Sequence, residues 1–280
     1  MTFFGLSVSS AGDVNGDSKG DILIGSTPSD PAKSMATVIY GTADKSLTGT
    51  TVYADALTTS TGVIFSGFPD PISFYMSGAR DVNGDHVADV IIGLPYLVSW
   101  RKGLTCVIFG RKGGFLKVSM DVVTLGSSDF QELYVHGATG DESGYSVSGR
   151  NVNGDRYDDV IIGSKSLVYG GTYRCYVVFG GASLNGQIIN LTKANANVLT
   201  IQGATHTLYG ISVSSGGDAN GDGIDDILIG SPWMDSPYLG AVYLIYGQSG
   251  SALYGSMIDL TNSWSDSIEI LSGNGSSRSQ

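Results

Sequence analysis

The strongest constraint on this chain is a block of residues that it carries four times. DVNGDSKGDILIG (13–25), DVNGDHVADVIIG (81–93), NVNGDRYDDVIIG (151–163) and DANGDGIDDILIG (218–230) begin 68, 70 and 67 residues apart. Spacing this even marks a supersecondary unit repeated in tandem, each copy burying its apolar face against its neighbours. Other signals keep the same phase. Each block is followed by a strand ending in aromatic-glycine: ATVIYG (36–41), CVIFG (106–110), YVVFG (176–180) and VYLIYG (242–247). A further short strand ends at Gly67, Gly137, Gly203 and Gly273, and a glycine-led strand precedes three of the blocks, in GLSVSS (5–10), GYSVSG (144–149) and GISVSS (210–215). Each repeat thus holds about four strands. The stretch after each aromatic-glycine strand, with QIINLT (187–192) and SMIDLT (256–261), leaves room for one more.

The fold expected is all-β. Glycine occurs 41 times and charged residues make up 15% of the 280 positions, which suits short strands and tight turns. Four strands per unit predict the blades of a β-propeller, with approximate repeats 1–67, 68–137, 138–203 and 204–273 in one domain; a β-solenoid competes, but its repeats are normally much shorter. The segment 268–280 is expected to complete the N-terminal repeat, within the chain or between chains, as an open head-to-tail series would require.

Within each block, oxygen-bearing side chains fall at loop positions 1, 3, 5 and 9, with glycine at position 4 for the turn. Calcium takes six to eight oxygens at about 2.3–2.6 Å, and acids at alternate positions of a tight loop can converge on one point. The candidate ligands are Asp13, Asn15, Asp17, Asp21 and the Lys19 carbonyl; Asp81, Asn83, Asp85, Asp89 and the Val87 carbonyl; Asn151, Asn153, Asp155, Asp159 and the Tyr157 carbonyl; and Asp218, Asn220, Asp222, Asp226 and the Ile224 carbonyl. The plainer alternative is that Asn-Gly makes a hairpin turn. Turn geometry alone does not call for a carboxylate four residues after the Asp that follows Asn-Gly, and all four repeats have one. The expectation is therefore four structural Ca²⁺ sites, the third weakest because Asn151 stands where the others have Asp. Magnesium, which retains its waters, is disfavoured.

The net charge of −11, with no basic run, argues against nucleic-acid partners. No apolar stretch approaches the ~20 residues that span a bilayer. Cys106 and Cys175 fall on opposite sheet faces by their distances from Gly110 and Gly180, so two buried thiols are expected and not a disulfide. His86, His136 and His206 occupy unmatched places in the repeat and form no metal trio. No nucleophile elbow, phosphate loop or zinc-protease motif occurs, and no enzyme activity is expected. Asn190 and Asn274 open glycosylation sequons.

The repeat resembles the FG-GAP repeats of the integrin α-subunit β-propeller and related secreted proteins. Phe4-Gly5, Tyr209-Gly210, the four acidic loops, DILIGSP (226–232) and GAVYLIYG (240–247) carry the resemblance. It implies an extracellular or cell-surface propeller whose acidic loops join the first and second strands of a blade and bind calcium, while partners meet the opposite face. On that face the resemblance points to loops 94–103, 164–172 and 231–240, where Tyr96, Trp100, Arg101, Trp233, Met234 and Tyr238 are candidate partner-binding residues, the alternative being that they pack against neighbouring loops. Integrin-like propellers have seven blades, against four repeats here. The function expected is a calcium-stabilised adhesion or assembly module with a protein partner or self-association; the alternatives are a glycan-binding propeller or an accessory domain of a larger secreted hydrolase.

Overall fold

The computed structural model describes residues 2–28, 35–43, 49–68, 75–96, 101–121, 131–165, 173–203, 212–231, 241–260 and 267–271. Runs of Val, Ile and Leu at period 2 between glycine turns form short strands, arranged in four sheets. The first sheet runs β1 (Thr2–Gly12), β2 (Asp21–Pro28), β3 (Met35–Ile39) and β4 (Gly62–Ser66), each antiparallel to the last. The second runs β5 (Tyr75–Arg80), β6 (Asp89–Leu94), β7 (Leu104–Ile108), then skips β8 (Ser119–Asp121) to reach β9 (Glu132–His136). In the third, β10 (Ser146–Arg150), β11 (Asp159–Gly163) and β12 (Arg174–Val178) skip β13 (Ile188–Asn190) to reach β14 (Val198–Gln202). The fourth holds β15 (Ser212–Gly217), β16 (Asp226–Ser231), β17 (Ala241–Ile245) and, past β18 (Met257–Asp259), β19 (Ser267–Leu271). The chain is all-β with mixed sheets.

The skipped strands are the extra strands for which the sequence left room, and they leave their own sheet. β8, β13 and β18 add in parallel to β4, β9 and β14, the last antiparallel strand of the preceding sheet. Each repeat thereby latches onto the one before it. Met120, Ile189 and Ile258, the central residues of the three latches, are all buried.

The sheets pack face to face in series. Between the first and second lie Leu23, Val38 and Phe65 against Val90, Ile92 and Cys106. Ile91, Val107 and Leu133 meet Val160, Ile162 and Tyr176 between the second and third. Ile161, Cys175 and Val177 meet Ile227, Ile229 and Tyr243 between the third and fourth. Alternate residues of one strand serve alternate interfaces, as period 2 requires. Cys106 and Cys175 accordingly face different interfaces as free thiols. The inner strands β1, β5, β10 and β15 contribute Ser9, Ser77, Ser148 and Ser214 to one shared cavity of about 400 Å³, which Arg80 and Arg150 also line.

β5, whose repeat lacks the glycine-led start of the other three, pairs with β6 as its counterparts do with theirs; its one bulge, between Gly78 and Arg80, recurs between Ser215 and Gly217 in β15. β19 pairs with β17, and residues 272–280 lie outside the described residues.

Candidate metal centre

The four acidic loops occupy one place in the fold, the connection from the first to the second strand of each sheet: β1 to β2, β5 to β6, β10 to β11 and β15 to β16. Antiparallel order puts the described residues between β6 and β7 and between β9 and β10 at the opposite end of the sheets. Glycine at position 4 has a positive φ in every loop, from 69° at Gly154 to 79° at Gly84, so the turn uses backbone that a side chain would strain.

The loops fold around their own acids. The position-5 amide donates to the position-3 Oδ1 in each: Asp17 to Asn15 at 2.9 Å, and Asp85 to Asn83, Asp155 to Asn153 and Asp222 to Asn220 at 3.0 Å. The position-7 amide donates to the position-5 carboxylate, from Lys19, Val87, Tyr157 and Ile224. At position 1, Asp13, Asp81 and Asp218 each accept from the amides of positions 5 and 6. The third loop departs here: the Asn151 amide nitrogen instead donates to the Asp155 carbonyl, and its Oδ1 is buried with no hydrogen-bond partner.

Position 9 is different in kind. Asp21, Asp89, Asp159 and Asp226 are almost wholly buried at the start of the second strand. One carboxylate oxygen of each accepts from the loop's position-2 amide, Val14, Val82, Val152 or Ala219, at 2.8–2.9 Å. The other accepts from the glycine of the aromatic-glycine strand, Gly41, Gly110, Gly180 or Gly247, at 2.8–3.0 Å. That glycine lies so close to the loop that a Cβ at Gly110 would stand 2.2 Å from the Ala88 carbonyl oxygen, and one at Gly180 2.3 Å from that of Asp158. The buried carboxylate thus staples the loop to the third strand. Burial raises the pKa of Asp21, raises that of Asp89 well above the carboxylate range and pushes Asp159 up to about 8, although the two amides oppose it in each.

Loop and neighbouring repeat are also joined. In the first loop, the carbonyls of Asp13, Val14 and Asn15 accept from Ala88, Arg111 and Gly113 of the second repeat; in the third, those of Asn151, Val152 and Asn153 accept from Asp225, Gln248 and Gly250 of the fourth. The second loop gives Asp81 and Val82 carbonyls to Asp158 and Gly181. The Tyr254 hydroxyl reaches Asn153 Nδ2 and Asp155 Oδ2, at 3.1 and 3.4 Å.

The donor set is oxygen-only and carboxylate-rich, which suits a hard divalent cation. The unpartnered Asn151 Oδ1 is an acceptor that a cation would satisfy. Position 5 is exposed in all four loops, and in the first its Asp17 pairs with Lys19 Nζ at 3.0 Å, a contact that draws its pKa down. As the loops stand, no three His, Cys, Asp or Glu side chains are gathered into a cation cage among the described residues. A cation would have to draw positions 1, 5 and 9 together within a backbone that is already turned.

At the opposite end, Arg101 Nη1 pairs with Glu142 Oε1 of a neighbouring loop at 2.9 Å, and its guanidinium lies 5.5 Å from the ring centre of Tyr96 in its own loop. Trp100, Trp233, Met234 and Tyr238 lie outside the described residues. Nothing in the repeat pattern pointed to the buried group beside Arg101. Asp141 accepts from the Tyr176 hydroxyl at 2.7 Å and pairs with Arg174 at 3.6 Å, while Glu142 Oε2 and Ser143 Oγ are buried without hydrogen-bond partners. Burial raises both acids, Arg101 opposing it at Glu142, and Tyr176 and Arg174 opposing it at Asp141. Burial also lowers His136, whereas His86 is exposed in the second loop and His206 lies outside the described residues. Asn190 Oδ1 accepts from the amide and hydroxyl of Thr192, and Asn274 lies outside the described residues.

Comparison with known proteins agrees with the geometry. The family model described as FG-GAP repeat matches residues 4–40 and 209–245, each spanning the first three strands of a sheet and its acidic loop. Integrin alpha-5 of Xenopus laevis is 26% identical over 194 residues, covering 66% of this chain and 16% of that protein. Integrin alpha-3 of Mus musculus is 29% identical over 115 residues, 39% of this chain and 10% of that protein. The phosphatidylinositol-glycan-specific phospholipase D of Homo sapiens is 27% identical over 269 residues, 90% of this chain and 29% of that protein. The chain spans less than a third of the length of each of these relatives. It carries FG-GAP repeats and is distantly similar to integrin alpha subunits and to that phospholipase D.

Proposed function

We propose that this chain is a non-enzymatic, calcium-stabilised extracellular scaffold, its sheets the blades of a propeller, which presents the loops at one end to a protein partner. The observation that carries the reading is the recurrence of one acidic loop at the same connection of four sheets, each closed by a buried carboxylate at position 9. The serines that all four inner strands contribute to one cavity support blades about a common axis. The eleven carboxylates at the ligand positions offset four Ca²⁺ ions, and millimolar extracellular calcium fills even weak sites. The third site is the weakest, because Asn151 brings no charge. Similarity to integrin alpha subunits supports the extracellular setting and the protein partner.

The test is thermal unfolding with calcium and with chelator. At calcium 100-fold above Kd, each site adds about 2.7 kcal/mol, so chelation should lower Tm by many degrees; an unmoved Tm ends the reading. Replacing Trp100 and Trp233 by Ala should abolish capture of the partner and leave the calcium response intact. A second reading, an accessory domain of a larger secreted enzyme, is favoured by the match of 90% of the chain to part of a phospholipase D. Co-purification with a hydrolase would support it.

A further inference from the structure

The cavity between the inner strands differs in charge from the rest of the chain. β1, β5, β10 and β15 line it with serine, glycine and alanine, to which two arginines, Arg80 and Arg150, add the only charge among the described residues there. No described carboxylate lines it, in a chain whose net charge is −11. A cleft lined by one sign of charge concentrates ions of the other.

Arg80 stands where the backbone favours glycine. A bulge ends β1, β5 and β15, and its last residue, Gly12, Arg80 or Gly217, has a φ of 79°, 57° or 65°. Left-handed backbone strains a long side chain, and such strain is kept where the residue has another role. β10 pairs with β11 without a bulge, yet Arg150 takes the same place, directly before the first position of its loop. Pairing within the fold does not account for the two. Among the described residues, neither guanidinium makes a hydrogen bond or an ion pair. Burial raises the pKa of Asp158, and the Asp81 amide, which donates to it at 3.1 Å, opposes that rise together with the charges of Arg80 and Arg150. One carboxylate balances one guanidinium, and the second is left over.

The serines of the cavity are of two kinds. The Ser9, Ser77 and Ser214 hydroxyls donate to the carbonyl of the next residue at 3.0–3.2 Å. Ser10 and Ser215 instead accept from the amides of Gly12 and Gly217, which leaves their hydroxyl protons for another acceptor. Ser148 makes no hydrogen bond among the described residues. We propose that this cavity binds a sulfate or phosphate group, with Arg80 and Arg150 as its charged donors and the hydroxyls of Ser10, Ser148 and Ser215 as its neutral ones. Guanidinium forks and hydroxyls are the donors that tetrahedral oxyanions take. The volume of about 400 Å³ falls in the range of small-molecule sites, so there is room for an ester as well as for the bare ion. The inference goes beyond the scaffold reading and stands on the cavity, independently of cation binding.

Isothermal titration calorimetry of the 280-residue chain in calcium should show inorganic sulfate binding at one site, while uncharged glucose should not bind there. Sulfate is the probe because phosphate would precipitate the calcium. Arg80→Gly and Arg150→Gln should each weaken binding by about 10-fold or more, the worth of a hydrogen bond to a charged group. Lys193→Gln, which removes an exposed cation elsewhere, should leave it unchanged. Arg80→Gly also installs the residue that Gly12 and Gly217 supply at the bulge, so its Tm should equal or exceed the parent's; an arginine that served stability alone would lower it on removal. Glucose 6-sulfate binding more tightly than sulfate would make the ligand an ester, and equal binding would make it the ion itself. A parent that takes up no sulfate, an Arg80→Gly variant that binds as the parent does, or an equal loss in Lys193→Gln would overturn the proposal. The rise of Tm with calcium, measured on the same samples, tests the scaffold reading separately.

Discussion

Two aspartates of the second loop, four residues apart, should fail in different ways when removed. Asp89 is buried, and its carboxylate oxygens accept from the amides of Val82 and Gly110, both at 2.8 Å. Asp89→Ala leaves two buried amides without acceptors, at about 1–3 kcal/mol each, so about 2–6 kcal/mol is lost whether or not calcium is present. Asp85 is exposed, and its carboxylate accepts from the Val87 amide and the Asn83 side chain. Its removal should cost little in chelator and should delete one cation's contribution, about 2.7 kcal/mol at calcium 100-fold above Kd.

The assay is differential scanning calorimetry of parent, Asp85→Ala and Asp89→Ala, each in calcium and in chelator. At roughly 2–4 °C per kcal/mol for a domain of this order of size, Asp85→Ala should lie about 5–10 °C below the parent in calcium and coincide with it in chelator. Asp89→Ala should lie below the parent in both. If the two variants lose the same amount in chelator, Asp89 is no staple; if Asp85→Ala keeps the parent's calcium response, the loop does not use position 5 as a ligand.

Asn151→Asp should tighten the third site, visible by calorimetric titration as the disappearance of the weakest calcium event; an unchanged isotherm would show that position 1 does not set the ranking. Asp141 is held above the usual carboxylate pKa mainly by burial, so the native state holds the extra proton, and its contribution to stability is fullest below about pH 4 and is lost as pH rises through the folded pKa. Asp141→Asn does not titrate; its Tm relative to the parent should rise from pH 4 to pH 7, and a constant difference would refute the shift. Burial pushes the Cys175 thiol up to about 12 and raises Cys106 further still. Neither should react with a thiol reagent in the folded protein at pH 8, and both should react in denaturant.

The strands and their grouping were legible because they rest on local signals: period-2 runs, Asn-Gly turns and aromatic-glycine stops, each present four times. The extra strands QIINLT and SMIDLT were legible as strands but not in their destination. Pairing of β13 with β9 or β18 with β14 joins three residues to partners 54 or 57 positions earlier, and no local propensity encodes that choice. Position 9 was legible as an acid but not as a staple. The available sign was the glycine that follows the aromatic residue in all four repeats, whose space is taken by the loop carbonyl. Asp141 and Glu142 escaped because GDESG reads as solvated loop; only the fold brings Arg101, Arg174 and Tyr176 around it.

The hydrogen bonds between loops determine what a cation could do for the whole chain. A calcium ion confined to one hairpin would stiffen one hairpin. In the first three loops the carbonyls of positions 1 and 2, and in the first and third loops position 3 as well, accept amides from the next repeat, so fixing the backbone of one of these loops also fixes the seat of the following sheet. Each cation in these three loops would therefore act on an interface between sheets as much as on its own loop. Calcium should then slow amide exchange at Ala88, Asp158 and Asp225, which bond across repeats, more than at strand amides far from the loops. Equal slowing at both would mean that the ion's effect ends at the hairpin.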